Sequence, residues 1–443
     1  MHRLVAAAAF LILPSFALAN VEITARSTQS TIAVKGAVQI KGGDKPETRD
    51  VHLTLGARWV QWDDGNSRGV YDFGRRVAVF VDSEKKRLNE QSLYALLSGR
   101  LMELDNRLML GKTLEAAGGA QANLMPATLV EHQLAVRAEG AGPSGIERAS
   151  VTGERRYVWQ KKELFAYSTE LVPLPPAARD LYVQYVRYMI GAHPEILADL
   201  QKLDGAPKWL RRTDPGFGNV ERFEIVAAKE TPDRPYALPA MEKMPLQNPD
   251  AAAAAAVVVA STAQSRADAA ARLIAAANAA AEAGKPLEAM LGYLEYNLTT
   301  GAPLGDDFNR HRDTVTADEN VKAFIGSLQP HSAEAAKAAI ATLTRLAPLA
   351  GPKAYVLGIF RANFETGLDN REAAVGLFTA ALKENPFLTG VWKDLGNALD
   401  TGYDASDAWR CYELARIIAP MHNLLADVAR REAALAKEHP EFF

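Results

Sequence analysis

An α+β chain is predicted: a short export segment, then an antiparallel β-rich domain with packed helices, then an α-helical repeat solenoid. Three observations predict it. An apolar run follows a basic start at the N-terminus. Apolar residues alternate with period two up to about residue 230. Helical spacing with an internal repeat runs from residue 251 to the end. The expected boundaries are 1–19, 20–230, a Pro-rich linker over 231–250, and 251–443. A chain of 443 residues has room for about three domains. With 48% hydrophobic and 23% charged residues it is not a disordered or collagen-like chain.

The first nineteen residues read MHRLVAAAAFLILPSFALA. Basic His2 and Arg3 precede an apolar run from Leu4 to Leu13, and Pro14 breaks it. Ala17-Leu18-Ala19 supplies the small-x-small pattern that signal peptidase accepts. The run is shorter than the roughly 20 residues a spanning helix needs, so cleavage after Ala19 and a periplasmic address are expected, with no integral membrane segment afterwards. Lys+Arg is 50 against 53 Asp+Glu; without Arg3 the balance is 49 − 53 = −4, which argues against nucleic-acid binding. The single cysteine, Cys411, rules out an intrachain disulfide and any CxxC site.

Ile32, Val34, Val38 and Ile40 alternate with more polar residues, and Val51, Leu53 and Leu55 continue the pattern into Trp59 and Trp62. Asp63-Asp64-Gly65-Asn66 is a turn, after which Val70–Phe73 and Val77–Val81 read as strands. Leu93, Leu96, Leu97, Leu101, Leu104 and Leu108 then place one helical stripe within Gln91–Leu114. Strands are expected at Val130–Ala138, Ile146–Val151 and Arg156–Leu171, where Pro173, Pro175 and Pro176 end the run. A helical stretch over Ala178–Leu203, interrupted at His193-Pro194, precedes a last strand at Glu221–Ala227. Ala251–Ala260 consists of Ala and Val alone and reads as a helix of low packing specificity.

The repeat follows. Trp392 is succeeded by Leu395, Gly396, Leu399, Ala408, Tyr412, Ala415 and Pro420. Ala374, Phe378, Ala381 and Pro386 show the same internal spacing as Ala408, Tyr412, Ala415 and Pro420, one repeat earlier. The segment 355–422 resembles a tetratricopeptide-repeat array, whose units of roughly 34 residues carry this W-L-G-Y-A-F-A-P pattern. The earlier copy departs from it, with Gly358 in place of Trp and Arg361 in place of Leu. A weaker copy spans Gly284–Leu298, with Ala289 and Tyr293 at the first small and aromatic places. Ser332–Leu349 adds a helix, and the tail from Asn423 caps the stack.

The β-rich part carries VYDF (Val70–Phe73), RRVAVFVDSEKKR (Arg75–Arg87), SLYA (Ser92–Ala95), GERRYVWQKKELFAYSTELVPLP (Gly153–Pro175), LDGAPKWL (Leu203–Leu210) and FEIVAAKETP (Phe223–Pro232). In order and texture it is similar to periplasmic lipoprotein-carrier domains of the LolA type. The resemblance implies a curved antiparallel sheet half-enclosing helices, with an apolar cavity for acyl chains. Trp59, Trp62, Tyr71, Phe73, Trp159, Phe165 and Tyr167 are the aromatics available to line one.

Catalytic patterns fail on inspection. Leu110-Gly111-Lys112-Thr113 has Asn106 where a phosphate loop needs glycine, and His311-Arg312-Asp313 lacks the rest of a kinase loop. Gly142-Pro143-Ser144-Gly145 reads as a turn, not a nucleophile elbow. HExxH is absent, the eight histidines show no i, i+4 pair, and Asp63-Asp64 and Asp306-Asp307 suit turns and caps. No cofactor and no metal are expected. Lys393 and Asn397, one helical turn apart, occupy the positions of a carboxylate clamp that would hold a peptide terminus. The expected protein is not an enzyme but an exported adaptor for an envelope protein or peptide, with a lipid or lipoprotein as a further expected ligand. The rival expectation is an envelope hydrolase with a noncontiguous site around His52 or His132.

Overall fold

A computed structural model describes residues 19–32, 46–117, 126–216 and 218–443. Residues 1–18 of the expected export segment, and the alternation expected from Val34 to Ile40, lie outside the described residues. The chain divides into two compact units that are not contiguous in sequence: Met1–Arg75 with Arg107–Ala240, and Arg76–Asn106 with Met241–Phe443.

The strands are β1 (Asn20–Thr31), β2 (Glu47–Leu55), β3 (Trp59–Asp63), β4 (Arg68–Asp72), β5 (Val77–Asp82), β6 (Arg87–Ser92), β7 (Glu147–Val151), β8 (Glu154–Trp159), β9 (Lys162–Ser168), β10 (Leu171–Pro173), β11 (Gly205–Pro207), β12 (Trp209–Asp214), β13 (Asn219–Thr231) and β14 (Glu242–Lys243). Four helices interrupt them: α1 (Leu93–Ala116), within which the division falls, α2 (Ala127–Leu134), α3 (Pro176–Tyr185) and α4 (Pro194–Leu200).

In the first unit the sheet runs β4-β3-β2-β1-β13-β12-β9-β8-β7, with every neighbour antiparallel. Its centre is the long β1–β13 pair, from Asn20↔Thr231 to Thr31↔Asn219, with a bulge at Thr24/Ala25. Val21, Ile23 and Ala25 bury one face of β1, as the period-two rule requires. Tyr182 and Tyr185 of α3 reach the Phe223 ring on β13, with centroids 6.5 and 5.6 Å away. A π turn, Val186–Ile190, carries the chain from α3 toward His193, which caps α4.

Two expectations are corrected here. The segment Val130–Ala138 is not a strand: α2 takes its first half, and Ala135 ends the helix in the left-handed region at φ 55°. Its alternation misleads because Glu131 and His132, neighbours that a strand would send to opposite faces, are both buried. The run Arg156–Leu171 is a hairpin, because Gln160 and Lys161 both take positive φ (49° and 66°) between β8 and β9. Neither residue belongs to the types that announce such a turn.

The Pro-rich segment is held along its length. Tyr236 meets Trp59 edge-on at 5.4 Å and donates to Asp72 at 3.0 Å, while Gln61 donates to the Ala237 carbonyl. Further on, β14 pairs in parallel with β6, and the Gln247 amide donates to Asp407 at 2.7 Å.

The second unit holds the β5–β6 hairpin and β14 with a run of helices. These are α5 (Pro249–Ala260), α6 (Ala263–Glu282), α7 (Pro286–Thr300), α8 (Gly305–Ala317), α9 (Glu319–Gly326), α10 (Ala333–Leu346), α11 (Ala354–Gly367), α12 (Arg371–Glu384), α13 (Thr389–Asp400), α14 (Ala405–Ile418) and α15 (Ala426–Glu438). The alanine-rich α5 buries Ala251, Ala254 and Val258 and packs on α12 and α14. Among the described residues no helix is long and apolar enough to cross a membrane. The fold is thus mixed, with a large antiparallel-rich N-terminal sheet and many C-terminal helices.

Candidate functional site

The periodic residues of the helical unit form its contacts. Helices α11 and α12 pack as one pair and α13 and α14 as the next, with α14 standing one repeat after α12. Ala374 and Ala408 are fully buried, as are Ala381 and Ala415, so the paired helices approach closely. Phe378 and Tyr412 fill the groove beside them. In the second pair Trp392 and Leu395 are buried, and the Trp392 indole N–H donates to the Pro386 carbonyl at 2.8 Å.

The first pair lacks those two side chains, since Gly358 and Arg361 stand where the next repeat has Trp392 and Leu395. A cleft of about 260 Å³ opens there. Leu343 and Ala347 line it from α10 and its end, Tyr355, Gly358 and Arg361 from α11, and Leu377 and Ala381 from α12. The Arg361 Nε is shielded from solvent and has no hydrogen-bond partner. Tyr355 also donates to the buried Glu295, which accepts from Lys353 and, at 2.7 Å, from Asn385. The sequence marks Gly358 and Arg361 as departures from the repeat; that the departures make a cleft emerges only with the helices in place.

Lys393 and Asn397 sit on α13, both engaged within the unit. The Lys393 ammonium lies 3.3 Å from Asp394 and 4.0 Å from Asp427. Burial raises the Asp394 carboxyl above its usual range, against the pull of that lysine. Asn397 accepts from the Tyr412 hydroxyl at 2.9 Å.

The seven aromatics expected to line a cavity are all buried, and they pack in separate groups. Tyr71 lies between Trp62 at 4.8 Å and Tyr188 at 4.5 Å, and Phe73 sits 6.0 Å from Tyr188. Trp59, on the same strand as Trp62 but an odd number of places away, faces the other way onto Tyr236. Phe165 pairs in register with Tyr157, whose ring is 6.0 Å from that of Tyr167, and Gly145 lies under Trp159.

Sequence reasoning missed a buried polar cluster. Glu131 accepts from His193 Nε2 and from the Ala138 amide, each at 2.9 Å. His193 Nδ1 accepts from the Glu195 amide, which places the imidazole proton on Nε2. The His193 amide donates to His132 Nδ1 at 3.0 Å. Glu131 is 2% exposed and both histidines 0%, so the three act as struts between α2 and α4. Ser144 donates to Glu195 at 2.9 Å, a carboxylate that cannot position it as a histidine would. Cys411 is fully buried, and burial pushes its thiol well above the usual range. Among the described residues no three His, Cys, Asp or Glu side chains gather as a metal ion would need. No protein-family model matches the chain, and no curated protein matches it.

Proposed function

We propose that the chain is an exported periplasmic adaptor that binds a partner protein or peptide through a tetratricopeptide-repeat-like helical unit. One observation carries it: two helix pairs, offset by one repeat, whose shared packing leaves a solvent-accessible cleft. Stacked helix pairs of this kind offer extended binding surfaces. The export reading rests on residues 1–19, and β1 begins directly after them, at Asn20. The β unit is read as a docking module of the lipoprotein-carrier type. The seven aromatics expected to line a cavity pack among themselves and their neighbours in a way that favours a lipid ligand no more than a protein one. A hydrolase around His132 would need the buried Glu131–His132–His193 cluster opened to substrate, and His52 stands exposed on β2.

The test is native mass spectrometry on the full protein purified from its own envelope. An intact mass starting at Asn20 and a stoichiometric protein partner are expected. A mass retaining residues 1–19 overturns the export reading. Stoichiometric lipid and no protein overturns the adaptor reading in favour of a carrier.

A further inference from the structure

The two helix pairs provide an internal ruler. At one place in the repeat, Trp392 and Leu395 fill the space between helices; at the same place one repeat earlier, Gly358 and Arg361 leave it open. We propose that this cleft receives one aromatic side chain of a partner peptide, with an adjacent Asp or Glu side chain of that peptide on the Arg361 guanidinium. The proposal rests on the adaptor reading and adds the chemistry of what is bound.

Three features argue for this occupant. The cleft, about 260 Å³, lies below the roughly 300–1,000 Å³ of ordinary small-molecule sites. It therefore suits a single large side chain better than a cofactor. Its walls are mostly leucine and alanine, with the Tyr355 ring, and the second pair shows that an indole is accepted at this place in the repeat. The guanidinium supplies the polar half: its Nε has neither solvent nor a protein acceptor, and a shielded donor without a partner is costly. A carboxylate on the guanidinium's terminal nitrogens makes a charge-assisted bond to the same delocalised cation, and the planar group also stacks on aromatic faces.

The cleft can be closed by restoring the repeat. A β-carbon at Gly326 on α9, outside the cleft, would meet nothing within 4 Å, so Gly326→Ala serves as the control. Gly358→Trp puts back the side chain that the second pair carries. The experiment pans a random twelve-residue peptide library, displayed on phage, against the full-length protein. Enriched sequences are then made as synthetic peptides with amidated C-termini, and their affinities are measured by fluorescence anisotropy. Enriched peptides should pair Trp, Phe or Tyr with a neighbouring Asp or Glu and bind the native protein and Gly326→Ala alike. Gly358→Trp should weaken them at least about tenfold, the scale of losing one buried aromatic anchor. Arg361→Glu leaves the helix backbone alone and should abolish the acidic preference while the aromatic preference stays. Binding undiminished in Gly358→Trp, or an acidic preference intact in Arg361→Glu, overturns the proposal. So does a library that yields no aromatic–acid pair. A native partner that still co-purifies with Gly358→Trp would leave the adaptor reading standing while this inference fails.

Discussion

A β-carbon added at Gly396 would lie 2.4 Å from the Tyr412 ring and 3.0 Å from the Ala408 carbonyl, neither of which can retreat inside the α13–α14 pair. Gly396→Ala should therefore destabilise the protein by about 1–3 kcal/mol, the usual cost of overpacking. Gly358→Ala, with open space and better helix propensity, should be neutral or stabilising by up to about 1 kcal/mol. Thermal unfolding of the two variants side by side checks the pair. His132 makes a second residue-scale prediction. Burial, then the nearby Arg212 charge, holds its imidazole well below the usual range. The folded protein thus keeps it neutral where the unfolded chain, with a value of about 6.5, takes up a proton. Stability is full above that value and falls as pH drops below it, by at most about 1.4 kcal/mol per pH unit from this one group. Urea midpoints from pH 7.5 down to about 5.5 should show the fall, and His132→Asn, which keeps an acceptor for the His193 amide, should flatten it. An unchanged slope in that variant would assign the loss elsewhere. Of this cluster the sequence singled out His132 alone: Glu131 and His193 join it only through the placement of α2 and α4, which a strand reading of Val130–Ala138 did not supply.

Helices with a repeat were easier to read than strands without one. The matching places of Ala374 and Ala408 in successive repeats, with the aromatics a turn later, marked α12 and α14 because close helix contact demands small residues at fixed spacing. The sheet offered no such ruler. Strands β6 and β12 went unread because Arg87–Ser92 and Trp209–Asp214 are largely polar and stay half-exposed at many positions. The cleft was half legible: the departures at Gly358 and Arg361 could be seen, whereas the space they leave depends on Leu343 and Leu377 from neighbouring helices. Element boundaries allow a matched test. Asp404 caps α14, accepting from the Asp407 amide at 3.1 Å and from Gln247 at the same distance. Asn370 holds the corresponding place before α12 and makes no side-chain cap bond. Asp404→Ala should cost about 1 kcal/mol and Asn370→Ala less than about 0.5 kcal/mol. Equal shifts in melting temperature would refute the capping account.

At the scale of the whole molecule, the unit that holds the repeats is not a continuous stretch of chain. Residues 76–106 belong to it and supply an aromatic platform. The Tyr94 ring stacks on Trp409 at 5.3 Å and lies 4.8 Å from Phe443, and Arg76 reaches over both Tyr94 and Phe443. Arg431 binds Asp400 through two nitrogens, at 2.6 and 3.3 Å, lies over Trp409, and donates to Ser98. Lys243 pairs with Glu90 at 2.9 Å beside the β14–β6 contact. Cutting the chain at the Pro-rich segment would leave the Trp409 face and the Phe442 ring uncovered, because Arg100 lies over Phe442. Each large ring exposed costs on the order of 2 kcal/mol, and a unit of this size has a margin of only about 5–15 kcal/mol. The fragment 241–443 should therefore melt well below the transition of the helical unit in the full chain. A synthetic peptide covering 76–106, added in trans, should raise that melting temperature in a saturable way and shift the tryptophan emission of the fragment to the blue as Trp409 is covered. Tyr94→Ala in the peptide should remove most of both effects. A fragment that melts like the intact unit, or a peptide without effect, would mean that the helices stand without the hairpin and that the repeated helix pairs alone stabilise the unit.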